Sequence, residues 1–217
     1  MAAYRIIIAD DHLLMRKGLR MMIETQSDLH VSGEAGDGIE LLKLLRKTTP
    51  DMVLVDVAMP RLRGIEAVGE IRSTYPGIRI LVVSMHKNRE YIYHAFAAGA
   101  DGYLLKEDSD SELILAIQTV RRGQKFLSPL LQQDLPDDLV FLLRHGGNPE
   151  APLLSVRESE VLKLVAEGAA NKDIAGILSI SNRTVEHHRA SIMKKLQLKS
   201  LADLVKYAIR KGYTTSN

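Results

Sequence analysis

Carboxylates, a hydroxyl and an ammonium follow apolar runs in the first half of the chain. They belong to Asp10, Asp11, Asp56, Ser84 and Lys106. Packed carboxylates repel one another unless a cation neutralises them, and oxygen donors with open positions suit Mg²⁺. A carboxylate beside Mg²⁺ and a lysine can attack phosphorus, because both cations stabilise the charge on the phosphoryl group during transfer. If the fold gathers these residues, they can form a phosphoryl-transfer site.

Short apolar strands alternate with amphipathic helices around these residues. The predicted strands are Tyr4–Ala9, His30–Ala35, Met52–Val57, Arg79–Ser84 and Gly102–Leu105, and the predicted helices are Leu13–Glu24, Gly38–Lys47, Ile65–Ser73, Glu90–Ala98 and Asp110–Arg122. Strands that are apolar throughout are typical of a parallel sheet covered on both faces by helices. Ligands bind outside the carboxyl ends of such strands, where all five residues fall. The sequence therefore predicts a doubly wound α/β domain with five parallel strands.

Each of these residues also has an ordinary structural explanation. The first two aspartates can cap a helix, Asp56 can end a strand, and Lys106 can be solvated. That explanation suits any one residue, but it does not account for five such residues at strand ends. The histidines in this half show no ligand spacing, so a histidine metal site is not expected.

The alternation stops between residues 125 and 149. Pro129, Pro136 and the run Gly146-Gly147-Asn148-Pro149 interrupt any pattern there. We predict a linker that is partly helical, with a short helix possible over Leu139–Leu143. Strand signals are absent after residue 150, and four amphipathic helices are predicted, which indicates a small all-α domain.

Capping residues mark the helices of this last segment. Ser155 and Glu158 fit a capping box that opens the first helix, which stops at Gly168. Asn171 is predicted to cap a short second helix. After a turn at residues 179–181, a longer helix runs to about residue 196, and Ser200 caps the last one. A short helix, a tight turn and a longer helix have the form of a helix-turn-helix.

The longer helix of this pair has one apolar and one exposed side. Val185, Ile192 and Leu196 share the side that must face the core. The side chains predicted to contact DNA are Arg183, Thr184, Glu186, His187, Ala190, Lys194 and Lys195. Small and polar groups can approach base edges, and the basic ones can reach phosphates. A solvated helix in a small α-domain is the alternative.

Composition and charge narrow the functional classes. Of 217 residues, 46% are hydrophobic and 26% charged, proportions that exclude disordered and collagen-like classes. The absence of cysteine excludes disulfides, thiolate zinc sites and a thiol nucleophile. We see no apolar run of membrane-spanning length and no secretory signal, so we expect a cytoplasmic protein.

The charge is unevenly distributed along the chain. Residues 151–217 carry 11 Lys and Arg against 6 Asp and Glu, whereas residues 1–125 carry 17 of each type. The basic end suggests an anionic partner.

One set of motifs spans residues 1–124. It consists of the pair Asp10-Asp11, Asp56 followed by Met59-Pro60 and Gly64, Ser84, and Tyr103 before Lys106. This set resembles the receiver domain of bacterial response regulators, a flavodoxin-like fold. Gly64 is expected to supply a backbone angle that other residues resist.

The resemblance implies a role for each residue of this set. Asp56 would accept a phosphoryl group from a phosphohistidine of a sensor histidine kinase. Mg²⁺ would be held by Asp10, Asp11, Asp56 and the backbone carbonyl of Ala58. Lys106 would pair with the phosphate and Ser84 would hydrogen-bond one of its oxygens. Tyr103 would turn inward when Ser84 moves.

A second set of motifs covers about residues 150–213. It consists of Leu154–Glu158, Asn171–Ala175, Ser181–His188 and Met193–Leu196. This set is similar to LuxR/FixJ/NarL-type output domains. Both resemblances together imply a phosphorylation-controlled transcription regulator of a two-component system that binds promoter DNA. The implied partners are a sensor histidine kinase and double-stranded DNA, with RNA polymerase as a further candidate and no membrane. A homodimer is expected on phosphorylation or DNA binding. No enzymatic activity is expected beyond Mg²⁺-dependent self-phosphorylation and slow autodephosphorylation.

Two other classes of protein compete with this interpretation. A phosphohydrolase similar to the haloacid dehalogenases would use Asp56 as its nucleophile, but that chemistry needs a second acid two residues later, where Ala58 stands. A phosphorylation-gated module whose helices bind protein is the other alternative. Its binding would lack the steep salt dependence that phosphate contacts produce.

Overall fold

The computed structural model of the chain describes residues 3–132, 135, 140, 143, 154–210 and 213. The chain divides into two compact units. Residues 1–87 and 92–149 belong to the first unit, and residues 88–91 and 150–217 belong to the second. The domain limits predicted at residues 124 and 150 remain predictions.

A parallel six-stranded sheet forms the frame of the first unit. Its strands are β1 (Tyr4–Ala9), β2 (Leu29–Ala35), β3 (Met52–Val55), β4 (Arg79–Ser84), β5 (Gly102–Leu105) and β6 (Phe126–Leu127). They lie in the order β2-β1-β3-β4-β5-β6. The α/β fold and the five predicted strands are confirmed, although β3 ends two residues earlier than predicted. The sixth strand was missed, because two residues are too few to show a pattern. It pairs with Gly102 and Tyr103 of β5.

Helices connect the strands of this sheet. They are α1 (Leu13–Glu24), α2 (Gly38–Leu45), α3 (Gly64–Thr74), α4 (Arg89–Ala97), α5 (Asp110–Arg121) and the short α6 (Pro129–Gln132). The predicted α2 was two residues too long, and the other predicted helices of this unit agree within one residue at each end. Of the possible helix over residues 139–143, only Val140 and Leu143 are described.

Burial of β-branched residues holds the sheet between the helices. Ile6, Ile7 and Ile8 of β1 are fully buried. Ile6 and Ile8 belong to the apolar cluster that includes Leu19 of α1 and Ile117 of α5. Side chains alternate along a strand, so Ile7 points to the opposite face. Each fully buried side chain of this kind contributes about 1.5–3 kcal/mol to the free energy of folding. The ends of these strands are therefore held rigidly enough to position a site.

Four helices lie among the described residues of the second unit from 154 onward. They are α7 (Val156–Ala166), α8 (Asn171–Ile177), α9 (Asn182–Lys195) and α10 (Leu201–Arg210). Their buried residues form one core, which includes Leu162, Ile174, Val185, Ile192 and Leu204. In the described part of the chain, no helix is long and apolar enough to cross a membrane.

Two of the predicted helix caps of this unit are present, and one is not. The capping box is confirmed, because the Glu158 N–H donates to Ser155 Oγ at 3.3 Å and the Ser155 N–H donates to Glu158 Oε2 at 2.8 Å. Ser200 also caps as predicted, accepting from the Asp203 N–H at 3.1 Å. Asn171 does not cap α8. It is the first helical residue, and its side-chain oxygen instead accepts from Arg189 of α9 at 2.5 Å.

Candidate functional site

The carboxyl ends of β1 and β3 lie side by side and carry two buried carboxylates. Asp10 follows β1 and Asp56 follows β3, and each residue is at most 2% exposed. The two strands pair as far as Ala9 and Val55, and the Asp56 N–H then donates to the Ala9 carbonyl at 2.8 Å. Asp11, the next residue along, is exposed at the same edge. The sheet therefore gathers three carboxylates that are distant in sequence.

The ammonium of Lys106 bridges the two buried carboxylates. Its Nζ lies 2.6 Å from Asp10 Oδ2 and 2.9 Å from Asp56 Oδ2, and the lysine side chain is 4% exposed. The backbone also fixes this residue, because the Lys106 N–H donates to the Ser84 carbonyl at 2.9 Å. One ammonium faces two buried carboxylates and the neighbouring Asp11, so negative charge is in excess at this edge.

Burial and pairing have opposite effects on these groups. Burial raises the pKa of Asp56 above its ordinary value, and attraction to Lys106 offsets only part of that effect. Burial alone would lower the pKa of Lys106, but its interactions with Asp10 and Asp56 hold that pKa above its ordinary value. Lys106 is therefore a fixed cation beside a carboxylate that is costly to ionise.

Ser84 and Tyr103 meet at the backbone of His86. Ser84 Oγ accepts from the His86 N–H at 3.1 Å, and the Tyr103 hydroxyl donates to the His86 carbonyl at 2.9 Å. Both side chains are fully buried, and burial raises the pKa of Tyr103 above its ordinary value. The inward position that the resemblance gives to Tyr103 after switching is the one that this structure has. The role of His86 as the link was not predicted, since it depends on backbone atoms.

Gly64 is needed for close packing and not for its backbone angle. Its φ lies outside the left-handed region. A Cβ at this position would lie 1.9 Å from the carbonyl oxygen of Asp56. The reason that the sequence suggested was therefore wrong, because the start of α3 packs directly on the Asp56 backbone. Ala58, two residues after Asp56, is exposed, and its backbone N–H acts to lower the pKa of the Asp56 carboxyl, against the larger effect of burial.

His12 adds a nitrogen donor that sequence reasoning missed. Its Nδ1 lies 2.8 Å from Asp11 Oδ1 and 3.2 Å from Asp10 Oδ1. One possible ligand atom from each of Asp10, Asp11, His12 and Asp56 lies within 4.8 Å of the others. The expectation that no histidine binds a metal was based on the spacing between histidines. That spacing gives no information about a single histidine next to an acidic pair.

These donors fit a divalent cation. The oxygens of Asp10, Asp11 and Asp56 are of the type that hard divalent ions prefer. Their charge exceeds that of Lys106, and two of the carboxylates are removed from water, where unbalanced charge is most costly. The three aspartates would hold such an ion at the mouth of the site.

In the second unit, α8, a turn and α9 form the helix-turn-helix. The turn passes through Ser179 at φ 50°, a left-handed conformation uncommon for serine. Arg157 of α7 donates to the Leu178 carbonyl and holds the turn. Ser181 then caps α9 by accepting from the Thr184 N–H at 3.0 Å. These contacts determine the direction in which α9 leaves the turn.

The two sides of α9 agree with the helical-wheel prediction. Val185 and Ile192 are fully buried. The exposed residues among those predicted to contact DNA are Arg183, Glu186, His187, Ala190, Lys194 and Lys195. The DNA contacts themselves remain predictions.

Two of the residues predicted to contact DNA are engaged within the unit. Lys195 Nζ lies 2.6 Å from Glu158 Oε2, and the Thr184 hydroxyl lies 2.7 Å from Ser181 Oγ. Ser191 also donates to Glu158, at 2.6 Å. The DNA contact of Lys195 stays a prediction; the ion pair with Glu158 was not expected, because a helical wheel cannot show a buried carboxylate on another helix.

Glu158 is the acceptor that receives these bonds. Burial tends to raise its pKa, but hydrogen bonds from Lys195 and Ser191 outweigh burial and lower that pKa to about 2. The carboxylate is therefore ionised at neutral pH and ties α9 to α7.

Comparison with known proteins identifies both units. Residues 6–118 match the response regulator receiver domain, and residues 152–208 match bacterial regulatory proteins of the luxR family. Oxygen regulatory protein NreC of Staphylococcus carnosus (strain TM300) is 38% identical over 211 residues, which cover 95% of this chain and 97% of that protein.

Solved structures of response regulators match nearly the whole chain. One match is the RcsB response regulator of Salmonella typhimurium, whose structure describes conformational dynamism for DNA interaction. Its TM-score is 0.68 and its sequence identity is 28%, over 95% of this chain and 97% of that one. RcsB of Salmonella enterica serovar Typhimurium bound to promoter rprA in the presence of the phosphomimetic BeF3⁻ matches with a TM-score of 0.64 and 27% identity, over 94% and 98%. The chain therefore belongs to the two-component response regulators that join a receiver domain to a luxR-type DNA-binding domain, and it is a phosphorylation-controlled transcription regulator.

Proposed function

We propose that Asp56 accepts a phosphoryl group from a phosphohistidine of a sensor histidine kinase, and that this transfer controls binding of the chain to promoter DNA. The observation that carries the proposal is the placement of Lys106 Nζ between Asp10 and Asp56, at 2.6 and 2.9 Å. A buried ammonium beside a buried carboxylate can balance the charge that arrives with a phosphoryl group.

In the transfer, a carboxylate oxygen of Asp56 forms the bond to phosphorus while the bond from phosphorus to the donor imidazole breaks. The electron pair of the broken bond stays on the imidazole nitrogen, which is then protonated. Lys106 pairs with the phosphoryl oxygens, because its ammonium already faces Asp56. The Ser84 hydroxyl accepts from the His86 N–H, so its own hydrogen can donate to a phosphoryl oxygen.

Asp10, Asp11, Asp56 and the carbonyl of Ala58 are the groups that we propose hold Mg²⁺. When bound, Mg²⁺ offsets the negative charge shared by the carboxylates and the phosphoryl oxygens. The excess of carboxylates over ammonium at this edge supports this assignment. We propose no enzymatic activity beyond this self-phosphorylation and slow hydrolysis of the product. Ala58 stands where a turnover phosphatase would need a second acid.

The output of the switch is assigned to the exposed side of α9. Arg183 and Lys194 are exposed there and can neutralise DNA phosphates, while Glu186 and His187 can meet base edges. We further propose that α10 pairs two copies on DNA. Its Leu201 and Ile209 are 53% and 38% exposed, which leaves apolar surface for a partner helix. Contact with RNA polymerase would follow from promoter binding.

The proposal is tested with the full-length chain, a small phosphodonor such as acetyl phosphate, and MgCl₂. Mass spectrometry of the intact protein should show the gain of one phosphoryl group, which Asp56→Asn should abolish. Selection of bound sites from random duplexes, with and without the phosphodonor, should then yield a roughly palindromic site that the phosphorylated chain binds more tightly. Equal affinity of both states, and of Asp56→Asn, would overturn phosphorylation control. Binding without a steep salt dependence would overturn the DNA assignment.

A further inference from the structure

We infer that His12 is a nitrogen ligand of the cation bound at Asp10, Asp11 and Asp56, and that this site therefore favours transition ions such as Mn²⁺ and Co²⁺ over Mg²⁺. The inference rests on the proposed function, since it concerns the same cation site.

The donor atoms around His12 are spaced like the ligands of one ion. Nδ1 of His12 lies 2.8 Å from Asp11 Oδ1 and 3.2 Å from Asp10 Oδ1. Adjacent ligands in an octahedral shell with bonds of about 2.1 Å are separated by about 3 Å. The two distances from Nδ1 to the carboxylate oxygens therefore match those between adjacent ligands of such a shell.

The backbone holds His12 in place beside the acidic pair. His12 stands at the N-cap of α1 with φ −86° and ψ 105°, and its side chain makes no capping bond to the helix. Its N–H donates to Asp10 Oδ1 at 2.8 Å. The ring is thereby directed at the acidic pair, and its side chain is 67% exposed, so an entering ion can reach it.

Lys106 and His12 contact different carboxylate oxygens of Asp10. Lys106 takes Oδ2 of both Asp10 and Asp56. Oδ1 of Asp10 faces His12 instead. The lysine and the histidine thus contact different oxygens of Asp10, so an ion bound at Oδ1 can leave the contact between Lys106 and Oδ2 in place.

Ligand chemistry then decides which ions benefit. Imidazole nitrogen binds first-row transition ions well, whereas Mg²⁺ prefers oxygen and gives up its water reluctantly. A site of carboxylate oxygens and one imidazole should therefore gain affinity for Mn²⁺ and Co²⁺ from His12, and Mg²⁺ should gain little.

Electron spin-echo envelope modulation of the Mn²⁺-loaded, full-length chain tests this directly. The spectrum should contain modulation from a directly bound ¹⁴N nucleus, which His12→Asn should abolish. Asparagine is a good helix N-cap, so this variant should fold, and circular dichroism checks that it does. His30→Asn is the matched control, because His30 pairs with Glu24 on another part of the unit; its modulation should equal that of the unsubstituted chain. No ¹⁴N modulation in the unsubstituted chain would overturn the inference.

Calorimetric titrations give a second readout. His12→Asn should weaken Mn²⁺ and Co²⁺ binding by about tenfold or more, the loss seen even for residues that only support a ligand. Mg²⁺ affinity should stay within about twofold of its original value, since oxygen donors dominate its binding. Equal losses for all three ions would also overturn the inference. Phosphorylation of Asp56 is measured separately in Mg²⁺. If it fails while ¹⁴N modulation is present, the proposed function falls and the assignment of His12 stands.

Discussion

Lys195 Nζ lies 2.6 Å from Oε2 of Glu158, which ties the recognition helix α9 to the first helix of its own unit. Glu158 is 4% exposed and also accepts from the Ser191 hydroxyl at 2.6 Å and the Ser155 N–H at 2.8 Å. One buried carboxylate thus completes the cap of α7 and holds two positions of α9. Removing it should affect both the stability of the unit and the placement of α9.

Glu158→Gln is expected to destabilise the second unit at neutral pH by about 2–3 kcal/mol, because it removes charged hydrogen bonds. The folded-state pKa of Glu158 is lowered to about 2 from 4.5. Its contribution is therefore fully present above pH 4.5 and is lost as the pH falls toward 2. Urea unfolding of the full chain should show a difference between the two proteins that shrinks over this range.

Glu167→Gln is the matched control for that measurement. Glu167 lies at the end of the same helix and reaches Lys163 at 3.9 Å, with both side chains at least 40% exposed. An exposed pair contributes at most about 1 kcal/mol, so this variant should unfold nearly as the original chain does. A Glu158 difference that does not change with pH would contradict the ionic role.

Lys194→Met and Lys195→Met should separate DNA binding from stability. Both side chains are exposed, but only Lys195 is paired with Glu158. Loss of Lys194 should weaken binding to all duplexes and reduce the salt slope by about one, with little change in unfolding. Loss of Lys195 should lower the free energy of unfolding by about 1–3 kcal/mol, because Glu158 is left buried without its cation. Fluorescence anisotropy with labelled duplexes and urea unfolding measure the two effects, and identical behaviour of the two variants would contradict the assignment.

Gly64→Ala is expected to impair phosphorylation of Asp56 and to destabilise the first unit. The added Cβ would lie 1.9 Å from the Asp56 carbonyl oxygen, so the backbone that carries the proposed phosphoacceptor must move. Gly69→Ala is the control in the same helix, since its Cβ would meet no atom within 4 Å. Alanine in a helix interior is favoured over glycine by about 0.5–1 kcal/mol, so the control should be slightly stabilised and phosphorylated normally. Mass spectrometry and thermal unfolding check both expectations.

Asp56→Asn is expected to raise the melting temperature of the first unit in buffer with a chelator. Burial raises the pKa of Asp56, so the ionised carboxylate costs free energy in the folded state at neutral pH. A raised pKa makes the folded state bind the proton more tightly than the unfolded state does. The advantage of Asn should therefore vanish below the ordinary pKa, where Asp56 is protonated in both states. Asp28→Asn, at a side chain 61% exposed, should change the calorimetric melting temperature little, and a lower melting temperature for Asp56→Asn would contradict the account.

Short-range patterns in the sequence determined the element types and most of the candidate site. Alternation of apolar strands with helices predicted the parallel sheet, and strand ends predicted that Asp10, Asp56 and Lys106 converge. The capping box of Ser155 and Glu158 was also readable, because its partners are three residues apart. The spacing of residues within one helix or strand is sufficient to predict a cap, since the local backbone sets its geometry.

Contacts between elements decided the rest. The pairing of Lys195 with Glu158 and the packing of Gly64 on Asp56 each depend on atoms from another part of the chain. A residue type says which bonds a side chain can make, but only the packed fold determines which partner is within reach. Burial then adds a cost for every charge that lacks a partner, and the buried Glu158 therefore needs a partner such as Lys195.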